Sequence, residues 1–212
     1  MHILLDLDGT LTDPQIGITK SIAFALEQMQ AAVPEKSQLI ECIGPPLSMS
    51  FSQLLPKPTA ERVAEAIAHY RTRFSATGIF ENSLYEGIQP ALVQLTQQGA
   101  TLHLATSKPH VFARRILEYF ELETYFASVH GSELDGVRSH KADLIAYVLA
   151  QEAIAAAEAV MVGDRAYDIV GAVANKIPAV GVLWGYGSRI ELVEAGADRL
   201  LAQPSELSRM MR

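Results

Sequence analysis

The sequence has one cysteine, few charged residues and no long apolar run, and each shortage excludes a class of protein. Cys42 is the only cysteine among the 212 residues, so an internal disulfide is excluded and a reducing compartment is favoured. The net charge of −7 argues against a nucleic-acid backbone as the main partner. No apolar run approaches the roughly 18 residues that a membrane helix needs, and no signal peptide is visible. These absences predict a soluble, cytoplasmic protein that binds neither nucleic acid nor a membrane.

What the sequence does contain is a regular alternation of apolar strands and amphipathic helices. Hydrophobic residues make up 49% of the chain, which suits a well-buried globular protein. Strands are predicted at residues 2–7, 101–106, 126–130, 159–162, 179–182 and 200–201. Helices are predicted at residues 88–97, 111–120, 141–150 and 167–175. Near-continuous apolar strands that alternate with helices predict an α/β fold, with a parallel sheet covered on both faces.

One long segment after the first strand departs from this alternation. It is predicted to hold only helices, at residues 16–29, 47–54 and 59–74, with prolines in the gaps between them. We therefore predict a core domain of residues 1–14 and 82–212, and an inserted helical domain of residues 15–81. Because such an insert follows a strand's carboxyl end, where α/β folds bind ligands, we expect it to act as a lid. An ordinary α/β continuation with unrecognised strands is the alternative.

Two acids, Asp6 and Asp8, stand one residue apart directly after the first apolar run. If the strand continues through Asp8, both carboxylates face the same side. Like charges at short range raise each other's pKa, so a cation or an anion-binding site is the natural compensation. Gly9 allows a tight turn, and Thr10 adds a hydroxyl group. A plain acidic strand end that turns at Gly9 is the structural alternative.

Polar side chains also follow the other predicted strands. Because the carboxyl ends of parallel strands meet at one edge of a sheet, we expect these side chains to converge with the two acids. Oxygen ligands from carboxylates suit Mg²⁺, whereas hydroxyls and a lysine suit a phosphate. The residues concerned are Thr106, Ser107 and Lys108 after the second strand, Lys141 at a helix start, and Asp164 and Asp168 after the fourth strand.

Together these residues resemble the four motifs of the haloacid dehalogenase superfamily. The matching stretches are Asp6-Leu7-Asp8-Gly9-Thr10, Thr106, Lys141, and the Gly-Asp-x-x-x-Asp pattern at 163–168. The resemblance implies a Rossmann-like parallel sheet with an α-helical cap of the C1 type. Within the superfamily, residues 43–47 and 161–165 look most like the phosphoglycolate phosphatase/5′-nucleotidase branch.

The resemblance also implies a role for each matched residue. Asp6 matches the nucleophile that forms an aspartyl-phosphate, and Asp8 matches the general acid and base. Lys141 matches the lysine that neutralises the nucleophile and the phosphoryl charge. The phosphate is expected at Gly9, Thr10, Thr106, Ser107 and Lys141. Mg²⁺ is expected at Asp6, the carbonyl of Asp8, Asp164 and Asp168, the last directly or through water.

The expected activity is a Mg²⁺-dependent hydrolysis of a small phosphorylated metabolite, such as phosphoglycolate or a 5′-nucleotide. A phosphosugar mutase of the same superfamily is one alternative, and a non-catalytic, receiver-like phospho-acceptor module is another. Lys108 competes with Lys141 for the role of the neutralising lysine, because Lys108 is nearer to Thr106 in sequence. We expect the protein to be a monomer or a homodimer.

Overall fold

A computed structural model describes residues 1–211 and separates the chain into two compact units. Met1–Asp13 and the chain from Leu84 onward form the first unit, and Pro14–Ser83 forms the second. Within the described residues, the model contains no helix with the length and apolar character that crossing a membrane requires.

The first unit is built on a six-stranded parallel sheet. Its strands are β1 (His2–Leu5), β4 (Thr101–Pro109), β5 (Phe126–Ser132), β6 (Ala159–Gly163), β7 (Ala179–Val182) and β8 (Arg199–Leu201). They lie in the order β5-β4-β1-β6-β7-β8. Its helices are α5 (Ile88–Gln97), α6 (His110–Tyr119), α7 (Lys141–Gln151), α8 (Ala166–Ala174) and α9 (Arg189–Glu194). The predicted α/β fold with a parallel sheet is therefore confirmed.

Strand order explains why ligand-binding residues gather next to β1. The chain adds β4 and β5 on one side of β1 and then returns to add β6, β7 and β8 on the other side. β1 therefore lies at the switch point of the sheet, where open α/β sheets form a crevice at their carboxyl edge. Leu5 pairs with both Leu104 and Val162, so the residues after β1 and β6 lie next to the last part of β4. The strand β4 runs three residues past its predicted end, so Thr106, Ser107 and Lys108 belong to the strand and do not follow it.

The first strand is shorter than predicted, because the chain turns soon after Leu5. The carbonyl of Leu7 accepts hydrogen bonds from the backbone N–H groups of Leu11 and Thr12, at 2.9 and 3.1 Å. Gly9 permits this turn with a φ of 86°, which only glycine adopts without cost. The strand predicted at residues 2–7 is therefore two residues too long, and the condition that it continues through Asp8 is not met. Asp8 forms only an isolated bridge with Thr12.

The second unit consists of helices. They are α1 (Gln15–Gln28), α2 (Lys36–Glu41), α3 (Leu47–Leu54) and α4 (Ala60–Ala76), followed by a 3₁₀ turn at Gly78–Phe80. Thr59 caps α4 by accepting a hydrogen bond from the N–H of Arg62 at 3.3 Å. Two buried aromatic residues, Tyr70 and Phe74, stack with ring centroids 5.3 Å apart. The two chain segments that join the units carry short strands, β2 (Thr12–Asp13) and β3 (Ser83–Leu84), which pair as a separate sheet.

The prediction missed the two shortest helices and these two short strands. The helices α2 and α9 have six residues each, fewer than two turns, so an apolar period of 3.6 residues cannot be recognised in them. The strands β2 and β3 have two residues each, too few to show any alternation.

Candidate active site

Asp6 follows β1 directly and is held by a lysine from α7. Its side chain is 10% exposed, and its Oδ1 accepts a hydrogen bond from Lys141 Nζ at 2.8 Å. The same ammonium group donates to the carbonyl of Ala105 at 3.0 Å and lies 2.7 Å from Asp168 Oδ1. Burial lowers the pKa of Lys141, but Asp168 and Asp6 outweigh this and raise that pKa above its ordinary value. Lys141 is therefore a fixed positive charge between two carboxylates.

Asp8 has a lysine partner of its own. Its Oδ2 forms a short ion pair with Lys108 Nζ, and the two side chains are 13% and 6% exposed. Its other oxygen, Oδ1, is buried and has no hydrogen-bond partner among residues 1–211. Burial raises the pKa of Asp8; the ammonium of Lys108 opposes this rise, and the charge of Asp6 adds to it. In the structure, Lys141 therefore contacts Asp6, whereas Lys108 contacts Asp8.

Asp164 follows β6 and is fully buried next to the turn after β1. It accepts a hydrogen bond from the N–H of Tyr186 at 2.8 Å and from the hydroxyl of Thr10 at 3.4 Å. A Cβ at Gly9 would lie 2.2 Å from Asp164 Oδ2, so the approach of the two segments requires a glycine there. Burial and the neighbouring carboxylates raise the pKa of Asp164 well above its ordinary value.

Asp168 lies in the first turn of α8, where it joins the helix end to the lysine. Its Oδ2 accepts a hydrogen bond from the N–H of Arg165 at 3.1 Å, which satisfies one of the free donors at a helix start. Its Oδ1 faces Lys141, as described above. A Cβ at Gly163 would lie only 2.1 Å from Asp168 Cγ. Burial raises the pKa of Asp168, and Lys141 opposes that rise.

Three of these acids form a compact group that could hold a metal ion. One carboxylate oxygen from each of Asp6, Asp164 and Asp168 lies within 4.8 Å of the others, and all three residues are buried. Together with Asp8, the site holds four carboxylates against the ammonium groups of Lys108 and Lys141. With all of these groups charged, 4 − 2 leaves two negative charges, which a divalent cation would balance. Oxygen-only donors of this kind fit Mg²⁺.

The residues predicted to bind phosphate lie around the same edge, but they differ in what they contact. Thr106 is buried, and its Oγ1 accepts the N–H of Lys108 at 3.3 Å. Ser107 is half-buried, and its carbonyl accepts a side-chain hydrogen bond from β5 at 2.8 Å. Gly9 donates its N–H to a carbonyl within its own turn at 2.8 Å, and Thr10 directs its hydroxyl to Asp164. In this structure, Gly9 and Thr10 therefore serve the turn and the acid group.

A loop at residues 183–188, which was not predicted as part of the site, packs against the acids. Trp184 donates from Nε1 to the carbonyl of Thr10 at 2.9 Å, and the hydroxyl of Tyr186 forms a short hydrogen bond to Asp13. A Cβ at Gly185 would lie 2.5 Å from an oxygen of Asp164. The sequence signal for this loop is the Trp-Gly-Tyr-Gly cluster just after a predicted strand.

Comparisons with known proteins show which family shares this sequence and fold. The family model for haloacid dehalogenase-like hydrolases matches residues 3–182. A 5′-nucleotidase from Pseudomonas aeruginosa is 47% identical over 191 residues, which cover 90% of this chain and 86% of that protein. The tyrosine-protein kinase PtkA from Mycobacterium tuberculosis is 43% identical over 185 residues, which cover 87% of this chain but 62% of that protein. A crystal structure described as a predicted phosphatase from Clostridium acetobutylicum has a TM-score of 0.95 at 43% identity, covering 99% of this chain and 97% of that one.

A switch-point sheet with buried carboxylates and lysines at its carboxyl edge defines an α/β enzyme built to bind a charged ligand. The match over residues 3–182 makes the family plain: the chain belongs to the haloacid dehalogenase-like hydrolases. It is an enzyme of this family's phosphatase type, as the sequence motifs predicted.

Proposed function

We propose that this phosphatase hydrolyses a small phosphomonoester through an aspartyl-phosphate on Asp6, with Mg²⁺ as cofactor. The observation that carries the proposal is that two carboxylates of the site each have a lysine partner of their own. One carboxylate, Asp6, is held close to Lys141, and a second carboxylate, Asp8, is held by Lys108 with one oxygen left without a partner among residues 1–211. A nucleophile and a separate acid–base group, each fixed by its own cation, suit two-step phosphoryl transfer.

In the first step, an oxygen of Asp6 forms a bond to phosphorus while the ester bond to the leaving oxygen breaks. Asp8 gives its proton to that oxygen, so the alcohol leaves neutral. In the second step, Asp8 takes a proton from water as the water attacks the same phosphorus. Inorganic phosphate leaves, and the carboxylate of Asp6 is restored. Lys141 lowers the repulsion between Asp6 and the incoming anion, and Thr106 offers a hydroxyl to a phosphate oxygen.

The acid group supports Mg²⁺ as the cofactor. The carboxylates of Asp6, Asp164 and Asp168, together with the backbone carbonyl of Asp8, would hold the ion. The close approach of these three buried carboxylates is the structural reason for this assignment, since buried like charges without a counter-ion are costly. Bound there, Mg²⁺ would supply electrostatic stabilisation to the equatorial oxygens of the transferred phosphoryl group.

We further propose that the helical unit, Pro14–Ser83, is a lid that determines specificity for the leaving group of the substrate. It is inserted between β1 and the rest of the core, and it is joined to the core by the two short segments that carry β2 and β3. A 5′-nucleotide or phosphoglycolate is the proposed substrate, because relatives named 5′-nucleotidase and phosphoglycolate phosphatase align over 90% and 87% of this chain. A change at the half-buried Leu47 should alter the ranking of substrates while labelled phosphate still forms on Asp6.

The proposal is tested by replacing the nucleophile. Asp6→Asn should reduce kcat/KM by more than about 10³-fold, whereas Asp143→Asn, at an exposed position of α7, should leave it unchanged. Brief incubation of the wild type with labelled substrate should place the label on Asp6. Near-normal turnover by Asp6→Asn would reject the mechanism. Transfer of label from ATP to a tyrosine peptide, without phosphomonoester hydrolysis, would favour the activity named for the PtkA relative instead.

A further inference from the structure

We propose that Lys108 is a positioning residue that holds Asp8 by one oxygen and aims the other at the leaving group of the substrate. The inference rests on the proposed function, since it assigns a role toward the acid–base step of that mechanism. Lys108 lies on β4, and its partner Asp8 is not among the three acids suited to a metal ion.

The first support is the asymmetry of the Asp8 carboxylate. Its Oδ2 is paired with Lys108 Nζ, and the side chain of that lysine is 6% exposed. Its Oδ1 is buried but has no hydrogen-bond partner among residues 1–211. An unpartnered buried oxygen is costly in a resting protein and calls for a reason. A leaving oxygen that comes to lie against Oδ1 would supply the missing partner in each turnover.

The second support is the rigidity of the backbone that carries Lys108. The N–H of Lys108 donates to Thr106 Oγ1 at 3.3 Å, and Ser132 donates from Oγ to the carbonyl of Ser107 at 2.8 Å. A Cβ at Gly131 would lie 2.5 Å from the carbonyl oxygen of Lys108, so β5 packs tightly against this point of β4. A side chain used to orient a catalytic group needs such a fixed base.

The third support is that the lysine positions are not equivalent. Lys141 contacts Asp6 and Asp168, two members of the group of acids suited to a metal ion. Lys108 instead contacts Asp8, whose side chain lies outside that group. A competing explanation is that Lys108 reaches past Asp8 and contacts the phosphoryl oxygens directly. The two explanations differ in which kinetic constants they link to this lysine.

Substrates whose leaving groups differ in their need for a proton distinguish the two explanations. A positioned acid matters most when the leaving oxygen needs a proton, as in a 5′-nucleoside monophosphate, and least for p-nitrophenyl phosphate, whose phenolate leaves without one. The constant kcat/KM reports steps up to departure of the leaving group, whereas kcat also includes attack by water. Loss of positioning should therefore lower kcat for both substrates, but kcat/KM mainly for the nucleotide. Loss of a phosphate contact should lower kcat/KM for both equally and weaken inhibition by inorganic phosphate.

The experiment compares Lys108→Met with wild type on adenosine 5′-monophosphate and p-nitrophenyl phosphate. We expect kcat/KM to fall about 10²–10⁴-fold for the nucleotide, the usual range for acid–base catalysis, and less than about 10-fold for the nitrophenyl ester. Inhibition by inorganic phosphate should stay unchanged. Lys108→Arg, which keeps the charge and a donor, should recover part of the loss. Lys176→Met, at an exposed position of the first unit, is the matched control and should behave as wild type.

A double-mutant cycle then tests whether Lys108 acts through Asp8. If it does, Lys108→Met should reduce kcat/KM for the nucleotide by less than about threefold in the background of Asp8→Asn. Equal losses for the two substrates, weaker phosphate inhibition, or full additivity would each overturn the inference, and so would a Lys108→Arg variant as slow as Lys108→Met at an unchanged thermal midpoint. Absence of phosphatase activity in the wild type would instead reject the proposed function itself.

Discussion

Lys141→Met removes the one cation that stands between two buried carboxylates. Methionine has nearly the same length as the lysine stem, which matters because the space is tight. A Cβ at Gly171 would lie 2.9 Å from the Cγ of Lys141, so a bulkier side chain would not fit. The substitution therefore deletes the charge and changes little else, and it leaves Asp6 and Asp168 facing each other.

The size of the effect follows from burial. The lysine side chain is 4% exposed, and those of Asp6 and Asp168 are 10% and 2% exposed. Removing one partner from a buried ion pair costs about 3–5 kcal/mol, because the remaining charge has no solvent to stabilise it. For a chain of this length, that loss corresponds to a fall of about 6–20 °C in the midpoint of thermal unfolding.

The assay is urea and thermal unfolding of wild type and Lys141→Met, first in excess chelator and then in Mg²⁺. In chelator, the free energy of unfolding of the variant should be lower than that of the wild type by the full amount of about 3–5 kcal/mol. In Mg²⁺ the loss should shrink, because a cation bound at the acid group neutralises Asp6 and Asp168 as the lysine did, and a ligand that binds only the native state adds stability. Lys176→Met should lose less than about 0.5 kcal/mol under both conditions.

Two results would refute this reasoning. If Lys141→Met lowers the free energy of unfolding in chelator by less than about 1 kcal/mol, the carboxylates are solvated or neutral without the lysine. A loss that Mg²⁺ leaves unchanged, with the variant otherwise folded, would mean that the acid group does not take up the cation.

Three further predictions concern the loop at residues 183–188, the metal ion and His103. Gly185→Ala should cost about 1–3 kcal/mol and reduce phosphatase turnover, because its Cβ would lie 2.3 Å from the carbonyl of Gly9; Gly99→Ala, whose methyl group meets open space, should cost strain alone and keep full turnover. Chelation should abolish activity and Mg²⁺ should restore it, whereas Ca²⁺ should restore little, since the larger ion accepts looser geometry; full activity in chelator would contradict the assignment. Burial and the neighbouring His2 lower the pKa of His103 to about 4, so the unfolded chain takes up this proton first and stability falls as pH drops from about 6.5 through 4. Between pH 6.5 and 4.5, His103→Gln should lose about 1–2 kcal/mol less than wild type in urea titrations; parallel curves would show that this histidine does not contribute.

The sequence by itself determined the order of elements and the identity of most site residues. Strands such as β6 are continuous apolar runs, and β6 ends at a glycine followed by Asp164, so both its existence and its carboxyl end can be predicted from local pattern. The same holds for Asp6 and Lys141, because residues that follow parallel strands must meet at one edge. The helical character of the inserted segment was equally visible from its periodicity and its prolines.

Only the tertiary structure decided which charges pair. Lys108 and Lys141 are both basic residues near strand ends, and nothing local distinguishes their partners. Lys141 reaches Asp6 across 135 residues and Lys108 reaches Asp8 across 100, and such contacts depend on strand order and register. The early end of β1 at Leu5 was hidden for a different reason. The turn is made by local hydrogen bonds from Leu11 and Thr12 to the carbonyl of Leu7, among residues that a strand pattern also fits.

The contacts of the loop at residues 183–188 could not be predicted from the sequence either. Its Trp, Gly and Tyr residues have an ordinary turn composition, and their value lies in what they touch: Trp184 holds the turn after β1, and the N–H of Tyr186 holds Asp164. The first of these contacts joins residues 174 apart and the second joins residues 22 apart, and neither leaves a periodic trace in a single sequence. Local chemistry can therefore supply the reacting groups, whereas the packing of distant strands determines how they are held.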